Sequence, residues 1–349
     1  MSLENLLNHT SEWLRGTGPN SNIIISSRIR SARNLVDIPF SHWANDKQRE
    51  KSLEEIKAAV GSALFLKKST YLELKDYSEL DKQFLVERHL MSREHAVTQD
   101  SKGLVIDEKE IVSIMINEED HIRMQVMQSG FNLTEAWRIT NEIDNELGVN
   151  LDYAFSPKLG FLTACPTNVG TGIRASVMLH LPALVFTNQA SRILQTITKL
   201  GLTVRGFYGE GTEVQGNFFQ VSNQVTLGRT EEEIIDSIDK VIAQIVTREE
   251  NARKAMFMRS KERLVDRIWR SYGTLRSAHI ISSNETIELL SAIRLGIDMD
   301  ILKDLTIPVI NELFILTQPA HLQKMEKKVL SHSERDLKRA ELIREKLGG

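Results

Sequence analysis

The sequence has 349 residues, of which 41% are hydrophobic and 26% charged, with a formal net charge of -3. This composition is that of a globular protein with room for two domains, and it excludes a global basic field for nucleic acid or acidic membranes. The single cysteine excludes an internal disulfide framework and is typical of a reducing compartment. No apolar run approaches the ~20 residues of a membrane span, and no signal sequence opens the chain, so we expect a soluble cytoplasmic protein.

The N-terminal part of the chain is predicted to hold three helices. Apolar periodicity predicts a short helix within residues 1–22 and amphipathic helices over 44–65 and 77–91. His89 lies near the end of the last of these helices. It is either a surface histidine or a contact to a phosphate or a base.

A strand begins at Ile23 and runs into Ser26-Ser27-Arg28-Ile29-Arg30. Because side chains alternate along a strand, Arg28 and Arg30 point the same way. They form either a solvated basic patch or a pair of guanidinium groups suited to a polyphosphate.

Three consecutive acids follow a predicted β-hairpin over residues 104–116. Glu118, Glu119 and Asp120 stand at the end of its second strand, where their charges repel one another. They form a metal site, a pocket that binds a cation or accepts a proton, or a charged surface loop. Arg123 follows directly, as an apolar pattern resumes.

The middle of the chain carries a predicted helix and a glycine-rich turn. Asn132 and Glu135 resemble a capping box that opens a helix ending at Gly148. After it, residues 160–164 are predicted to form a strand that leads into the turn 165–174, Cys-Pro-Thr-Asn-Val-Gly-Thr-Gly-Ile-Arg. Glycines leave backbone amides free to face an anion, and Arg174 suggests phosphate. The alternative is a strand-to-strand turn with a buried thiol.

A second glycine-rich loop, residues 204–213, holds one arginine and two glutamates between a predicted helix over 189–200 and a strand over 217–227. A long helix is predicted over 231–255. Beyond it the sequence becomes charge-rich and helical without glycine-rich loops. We therefore predict two domains, a catalytic domain over 1–255 and a helical C-terminal domain over 256–349.

The C-terminal tail contains Arg335-Asp336-Leu337-Lys338-Arg339-Ala340 within a predicted helix. Arg335 and Arg339 are four residues apart and so share a face, with Asp336 near Arg339. Taken alone, this pattern is also that of a salt-bridged surface helix.

The common nucleotide and metal motifs are missing from the sequence. It has no Gly-x-x-x-x-Gly-Lys-Ser/Thr loop, no His-Arg-Asp or Asp-Phe-Gly motif, and no histidine and cysteine cluster with zinc spacing. What remains is a set of arginines at strand ends and glycine loops, beside two loops that carry carboxylates.

These motifs, in this order, resemble the catalytic domain of the guanidino (phosphagen) kinases over roughly residues 20–250. The segments that carry the resemblance are Ser-Ser-Arg-Ile-Arg, Asn-Glu-Glu-Asp-His-Ile-Arg, Cys-Pro-Thr-Asn-Val-Gly-Thr-Gly-Ile-Arg-Ala-Ser and Arg-Gly-Phe-Tyr-Gly-Glu. The resemblance implies an α+β fold, with an antiparallel sheet flanked by helices and a helical C-terminal domain. It also implies ATP and Mg²⁺ as cofactors, with the magnesium held largely by nucleotide and water.

The resemblance also implies roles for individual residues. Glu119 and Glu210 would grip the acceptor guanidinium, with Glu119 as the base, and Cys165 would tune its position and charge. Arginines would clamp the phosphates. The nucleotide-binding residues implied in this way are Ser26, Ser27, Arg28, Ile29, Arg30, His89, Arg123, Arg174, Ala175, Ser176, Val177, Met178, Arg205, Gly206, Phe207, Tyr208, Gly209 and Glu210.

Two departures from creatine and arginine kinases indicate the bacterial protein arginine kinase branch of the family. Only about 25 residues precede the first arginine motif, where those enzymes carry a helical domain, and the Arg-Asp-x-x-Arg-Ala motif is added at the C-terminus. The branch implies phosphoarginine binding by Arg335, Asp336, Arg339 and Ala340.

The function expected from this branch is transfer of the γ-phosphate of ATP to protein arginines. It marks proteins for degradation by a Clp protease and relieves repression of the stress response. The expected partners are substrate proteins with an exposed arginine, including a stress-response repressor, a small zinc-containing activator protein (McsA), a Clp ATPase and a second copy of the chain in a homodimer. Nucleic acid and membranes are not expected.

Two other functions are considered beside it. A small-molecule guanidino kinase that buffers ATP would share every catalytic motif, but the short N-terminus and the added tail argue against it. A phosphoarginine-binding adaptor on an inactive kinase scaffold would be expected to have lost some of the arginines or glutamates.

Overall fold

The structure is a computed structural model that describes residues 3–7, 9–97, 101–206 and 215–348. Its strands are β1 (Ile24–Arg33), β2 (Thr70–Glu73), β3 (Gly103–Ile106), β4 (Val112–Ile116), β5 (Ile122–Ser129), β6 (Phe155–Ser156), β7 (Gly160–Phe161), β8 (Ile173–His180), β9 (Leu202–Arg205) and β10 (Phe218–Asn223). Eight of them form one sheet in the order β2-β3-β4-β5-β1-β8-β10-β9, and β6 and β7 form a small hairpin. Every neighbouring pair is antiparallel.

The helices surround this sheet and extend beyond it. They are α1 (Leu3–Leu7), α2 (Asp46–Ser62), α3 (Glu79–Glu87), α4 (Arg93–Ala96), α5 (Leu133–Gly148), α6 (Pro182–Phe186), α7 (Ala190–Lys199), α8 (Glu231–Ser277), α9 (Ser283–Asp298), α10 (Ile307–Leu316), α11 (Pro319–Met325) and α12 (His332–Lys346). A 3-10 turn spans Glu12–Leu14. The predicted α+β fold, with an antiparallel sheet flanked by helices and a helical C-terminal part, is confirmed.

The two faces of the sheet differ in chemistry because apolar and polar residues alternate along its central strands. Ile29 of β1 lies opposite Ala175 of β8 and Val126 of β5, and all three are fully buried. This face packs against α5 and α8 and forms the main core. The other face carries Arg28 and Arg30, which point the same way as the alternation predicted.

Two local predictions need correction. The strand predicted over 160–164 contains only Gly160 and Phe161, because the chain turns away after β7. The capping box at Asn132 is not formed. The Asn132 side chain makes no cap hydrogen bond, and Glu135 instead pairs with Arg138 at 2.8 Å. The β3–β4 hairpin is confirmed.

The long helix α8 runs through the predicted domain boundary at residue 255 and interrupts its helical geometry at Ser260, whose φ and ψ are -147° and 37°. The division into 1–255 and 256–349 therefore stays a prediction. No helix among the described ranges has the length and apolar character needed to cross a bilayer.

Buried polar contacts join the C-terminal helices to the rest of the chain, for example at Asn22 and at Glu87. Arg294 of α9 donates to the backbone oxygen of Asn22, just before β1, at 2.8 Å. Glu87, at the end of α3, accepts hydrogen bonds from the first backbone amides of α11, those of Ala320 and His321, at 2.8 and 3.0 Å. The Glu87 carboxylate thereby caps the N-terminus of α11, and its negative charge interacts favourably with the positive end of that helix.

Candidate active site

Five arginines that are far apart in the sequence lie on one face of the sheet, which we call the cationic face. Antiparallel register places Arg30 of β1 opposite Arg174 of β8 and Gln125 of β5, two residues from Arg123. Arg28 lies opposite Ser176, and Arg205 of β9 joins the same face through its pairing with Gln220. The structure therefore brings together the arginines that the sequence singled out: Arg28, Arg30, Arg123, Arg174 and Arg205.

The positive charge of this face is costly to hold. Burial and the neighbouring Arg123, Arg174 and Arg205 lower the pKa of Arg28 to about 10. Burial and the charges of Arg28, Arg123 and Arg174 likewise lower the pKa of Arg30, well below its ordinary range. A guanidinium whose pKa is depressed is one that an incoming anion would stabilise.

Two arginines of the cationic face donate hydrogen bonds to uncharged side chains of neighbouring strands. Arg28 donates to the Oε1 of Gln220 at 3.0 Å, and Arg174 donates to the hydroxyls of Thr203 and Ser222 at 3.0 and 3.1 Å. These uncharged side chains orient the guanidinium groups of Arg28 and Arg174 on the same face of the sheet.

Arg123 donates to an acidic side chain, that of Glu118, at 2.6 Å. Burial opposes its charge, but the Glu118 carboxylate more than compensates and raises the pKa of Arg123. Glu118 also accepts a hydrogen bond from Ser92, so that its carboxylate is engaged on both sides. The loop between β4 and β5, residues 117–121, carries Glu118, Glu119 and Asp120, and we call it the acidic loop. The ion pair links this loop to the edge of the cationic face.

A narrow cleft opens beside Arg28. Its walls are formed by Trp13, Ser26, Arg28, His89, Met127, Ser176, Met178 and Gln220. The His89 ring meets the edge of Trp13, with centroids 5.4 Å apart. Burial, Arg28 and Arg93 lower the pKa of His89 to about 3, so the imidazole is neutral at physiological pH. A cleft with apolar walls next to cationic groups fits a nucleoside attached to phosphates.

The acidic loop presents Glu119 to solvent between two buried acids. Loss of solvation and the adjacent Asp120 raise the pKa of Glu119, although Arg123 and Arg30 act in the opposite direction. Burial raises the pKa of Asp120 as well. Glu119 is therefore the exposed carboxylate of the loop, beside two arginines of the cationic face, and its proton affinity exceeds that of an ordinary glutamate.

Asn34, the first residue after β1, holds the acidic loop against the loop that carries Cys165. Its Nδ2 donates to the Oδ1 of Asp120 at 2.7 Å and to the backbone oxygen of Leu162 at 3.0 Å. Asp120 in turn accepts the backbone N–H of Ala164 at 2.7 Å. Cys165 follows directly, with its Sγ 3.0 Å from the Thr167 hydroxyl. Glu119 and Cys165 therefore lie on two loops that are bonded to each other.

The glycine-rich turn does not offer the free amides that its composition suggested. The amides of Asn168 and Val169 donate within the turn, that of Gly170 donates to Phe161, and that of Thr171 donates to Thr226. Gly172 is required for a different reason: it has a φ of 66°, and a Cβ there would lie 2.6 Å from Arg33. These four amides are therefore engaged within the protein, whereas Arg174 lies on the cationic face.

Several residues of the predicted nucleotide set lie elsewhere. The side chains of Ser27, Ile29, Ala175 and Val177 belong to the opposite face of the sheet and are buried, so they support the sheet instead of facing a ligand. Gly206 adjoins Arg205 beside α7. The described residues do not include Phe207, Tyr208, Gly209 and Glu210. The role of Glu210 therefore stays a prediction.

The C-terminal motif forms helix α12, where its two arginines have different environments. Arg339 is 1% exposed and donates to the backbone oxygens of Thr317 and Ile281 at 2.8 and 2.9 Å, and also to Asp336. Arg335 is half-buried. In this arrangement Arg339 holds three segments together, and phosphoarginine binding by the motif stays a prediction.

Sequence reasoning missed residues that shape the site from a distance. Trp13 and Met127 line the cleft, and no local pattern indicated either of them. Gln220 could have been found, because its place in a strand puts it on the same face as Arg205. Arg33, the third arginine of β1, is a structural residue: it donates to Asp144 at 2.7 Å, and its guanidinium lies 3.5 Å from the Phe161 ring centre.

Comparison with known proteins gives the same picture for both parts of the chain. The family model of the ATP:guanido phosphotransferase C-terminal catalytic domain matches residues 51–252, and that of the protein-arginine kinase McsB C-terminal domain matches residues 261–349. A protein-arginine kinase of Halothermothrix orenii is 48% identical over 348 residues, covering 99% of each chain. That of Bacillus subtilis (strain 168) is 45% identical over 350 residues, covering 99% of this chain and 96% of the relative.

Solved structures of phosphagen kinases share the fold. A duplicated taurocyamine kinase from Schistosoma mansoni, with bound components of a transition state analog, has a TM-score of 0.62 and 28% identity. The match covers 67% of this chain but spans only 34% of that one. A lombricine kinase has a TM-score of 0.59 and 26% identity, covering 67% of this chain and 68% of its own. The chain therefore belongs to the protein-arginine kinases, ATP-dependent phosphotransferases of the guanido kinase family.

Proposed function

We propose that this protein-arginine kinase carries out its reaction between the cationic face and the acidic loop, with Glu119 as the base. The observation that carries the proposal is the cationic face itself, on which strand register brings five arginines together. Such a surface is suited to a triphosphate and to the charge that develops on a moving phosphoryl group.

The nucleotide would lie with its phosphates on Arg28, Arg30, Arg123, Arg174 and Arg205 and its nucleoside in the cleft beside His89. Bound phosphates would offset the repulsion that now lowers the pKa values of Arg28 and Arg30. Because phosphoryl transfer depends on in-line positioning and on charge stabilisation, a rigid sheet that fixes guanidinium groups supplies both.

Magnesium would reach this site with the nucleotide. Among the described residues, no three histidine, cysteine or acidic side chains converge to hold a metal ion. A site without such a cluster fits an ion that is coordinated mainly by phosphate oxygens and water, which is the usual behaviour of Mg²⁺. When bound, the ion neutralises phosphate charge, and the contribution of this chain is the placement of the phosphates.

The acceptor arginine has a pKa above 12, so its nitrogen is a poor nucleophile until a proton leaves. Glu119 would grip the guanidinium and accept that proton, and its raised pKa makes it a better base than an ordinary glutamate. Glu118 and Asp120 are engaged with Arg123 and with Asn34, so they would shape the pocket. Glu210 would be the second carboxylate, and Cys165 would lie beside the guanidinium without forming a covalent intermediate.

The C-terminal motif would bind phosphoarginine through Arg335, while Arg339 and Asp336 build the frame around it. Such a site would let the enzyme dock proteins that are already phosphorylated. The proposal includes the cellular role of the bacterial branch, namely marking proteins for Clp-dependent degradation and relieving a stress-response repressor. A zinc-containing activator, a Clp ATPase and a homodimer are the corresponding partners.

The test gives the purified chain Mg-ATP with a mixed protein substrate in one tube and with free arginine in another. Mass spectrometry under non-acidic conditions then locates the phosphate. We expect phosphate on protein arginines and none on the free amino acid. Phosphate on free arginine alone would contradict the proposal and would indicate a small-molecule guanidino kinase.

A further inference from the structure

Exposed apolar side chains lie on three segments that are linked by hydrogen bonds to the acidic loop, to the Cys165 loop or to each other. They belong to the segment after β1, to the β6–β7 hairpin and to the segment after β10, and we call them the apolar rim: Val36, Trp43, Phe155, Leu159, Val225 and Leu227. Trp43 is 74% exposed and Phe155 is 57% exposed. Single exposed apolar residues are ordinary, but several around one functional site indicate a contact surface.

The first segment of the rim is bonded directly to the acidic loop, and the second segment is bonded to the first. His121, in the acidic loop, donates from Nε2 to the backbone oxygen of Pro39 at 2.9 Å. Its Nδ1 accepts the backbone N–H of Leu35 at 3.0 Å, next to Val36. The amide of Val36 donates in turn to Asp152 at 2.9 Å, on the segment that leads into the β6–β7 hairpin. These contacts fix Val36 and the segment that leads into the hairpin relative to the loop that carries Glu119.

The third segment is bonded to the loop of Cys165. Thr226 donates from its hydroxyl to the backbone oxygens of Thr167 and Val169, at 3.0 and 2.8 Å. Thr226 is buried, whereas its neighbours Val225 and Leu227 are 48% and 50% exposed. Buried Thr226 thus anchors the segment, and the apolar side chains on either side of it remain available to a partner.

We propose that the apolar rim binds the residues that flank the acceptor arginine in a substrate protein, so that arginines with apolar neighbours are preferred. This inference rests on the proposed placement of the acceptor between Glu119 and Cys165. An arginine can enter that pocket only if its own backbone lies close to the surrounding surface. Successive side chains of an extended segment point in alternate directions, so the neighbours of the arginine would meet the rim.

The occupant is therefore the substrate segment itself. A second copy of the chain would cover the rim and block access to Glu119. Because protein substrates must reach the acceptor pocket, we take the substrate segment and not a second copy as the occupant of the rim. Burial of one apolar side chain against Phe155 or Leu227 would improve binding by about tenfold, for some 50 Å² removed from water.

The experiment compares two peptides that each contain one arginine, flanked either by leucine and phenylalanine or by serine and glycine. The enzyme is the full chain with Mg-ATP, and the readout is KM for each peptide. We expect a lower KM for the apolar peptide. Phe155→Ser and Leu227→Ser should each raise that KM about tenfold while leaving the KM of the polar peptide and the KM of ATP unchanged.

Val149→Ser is the matched control, because Val149 is 82% exposed at the end of α5 and does not belong to the rim. Equal KM values for the two peptides, or equal effects of Val149→Ser and Phe155→Ser, would refute the proposed role of the rim in substrate binding. Neither result would contradict the kinase assignment. Failure to phosphorylate either peptide, with protein arginines modified normally, would also count against the rim. Phosphorylation of free arginine alone would instead overturn the proposed function.

Discussion

Replacing Arg28 by methionine should make the ligand-free protein more stable while it abolishes nucleotide binding. Burial and neighbouring arginines lower the pKa of Arg28 from its ordinary value to about 10, a difference that corresponds to about 3 kcal/mol against the charged side chain in the folded state. This cost is fully present below pH 10 and is relieved only as the pH rises through the folded pKa towards the unfolded one. Methionine removes it at neutral pH.

The gain is partly offset by two lost hydrogen bonds, to Gln220 at 3.0 Å and to Ser176 at 3.4 Å, each of about 1 kcal/mol. We therefore expect a net stabilisation of about 1 kcal/mol, or roughly 2 °C in Tm, measured by thermal and urea unfolding. Saturating Mg-ATP should raise the Tm of the unchanged protein but not that of Arg28→Met.

Arg33→Met is the control on the same strand. Arg33 is paired with Asp144 at 2.7 Å, and removing one partner of a buried ion pair should cost about 3–5 kcal/mol. The reasoning would be refuted if Arg28→Met were destabilised as strongly as Arg33→Met, or if it still gained stability from Mg-ATP.

Three further predictions concern the acidic loop and helix α12. Glu119→Gln should lower kcat by about 10²–10⁴ with the Kd of ATP unchanged; retained turnover would remove Glu119 as the base. Loss of solvation and Asp120 raise the pKa of Glu119. When the pH is lowered, kcat/KM of the unchanged enzyme should therefore begin to fall at a higher pH than it would with an ordinary glutamate as the base. If kcat/KM of a Glu119→Asp variant falls at the same pH as that of the unchanged enzyme, the group that titrates is not Glu119. Arg335→Ala should weaken phosphoarginine binding with the Tm unchanged, whereas Arg339→Ala should also lose about 3 kcal/mol, because two buried backbone oxygens lose their donor. Equal Tm values for the two variants would contradict the structural role of Arg339.

The arrangement of the cationic face could be predicted in part from the sequence. The period of two in β1 placed Arg28 and Arg30 on one side, and that held because a strand with one buried face tolerates no shift of register. Which strands flank β1 depends on pairings between distant segments. The convergence of Arg123 and Arg174 on Arg30 was therefore implied only by the family resemblance.

Other features depended on tertiary contacts that no local pattern reports. The spacing of Arg335 and Arg339 predicted a shared helical face, but the burial of Arg339 comes from packing against Ile281 and Thr317, which belong to other helices and connections. The free amides expected of the glycine turn are used by Phe161 and Thr226, at sequence distances that composition does not encode. Glu119, in contrast, was found because three adjacent acids stand out in any sequence.

The contacts of Arg294 and Asn311 have a consequence for the order in which a newly made chain can fold. Arg294 binds the backbone oxygen of Asn22 across 272 residues, and Asn311 binds that of Leu14 across 297. On the ribosome, the turn before β1 must therefore wait for α9 and α10 to emerge before it finds its native partners. The segment that precedes β1 is translated early and completes its contacts late, so nearly the whole chain must be made before this end of β1 has all of its native partners.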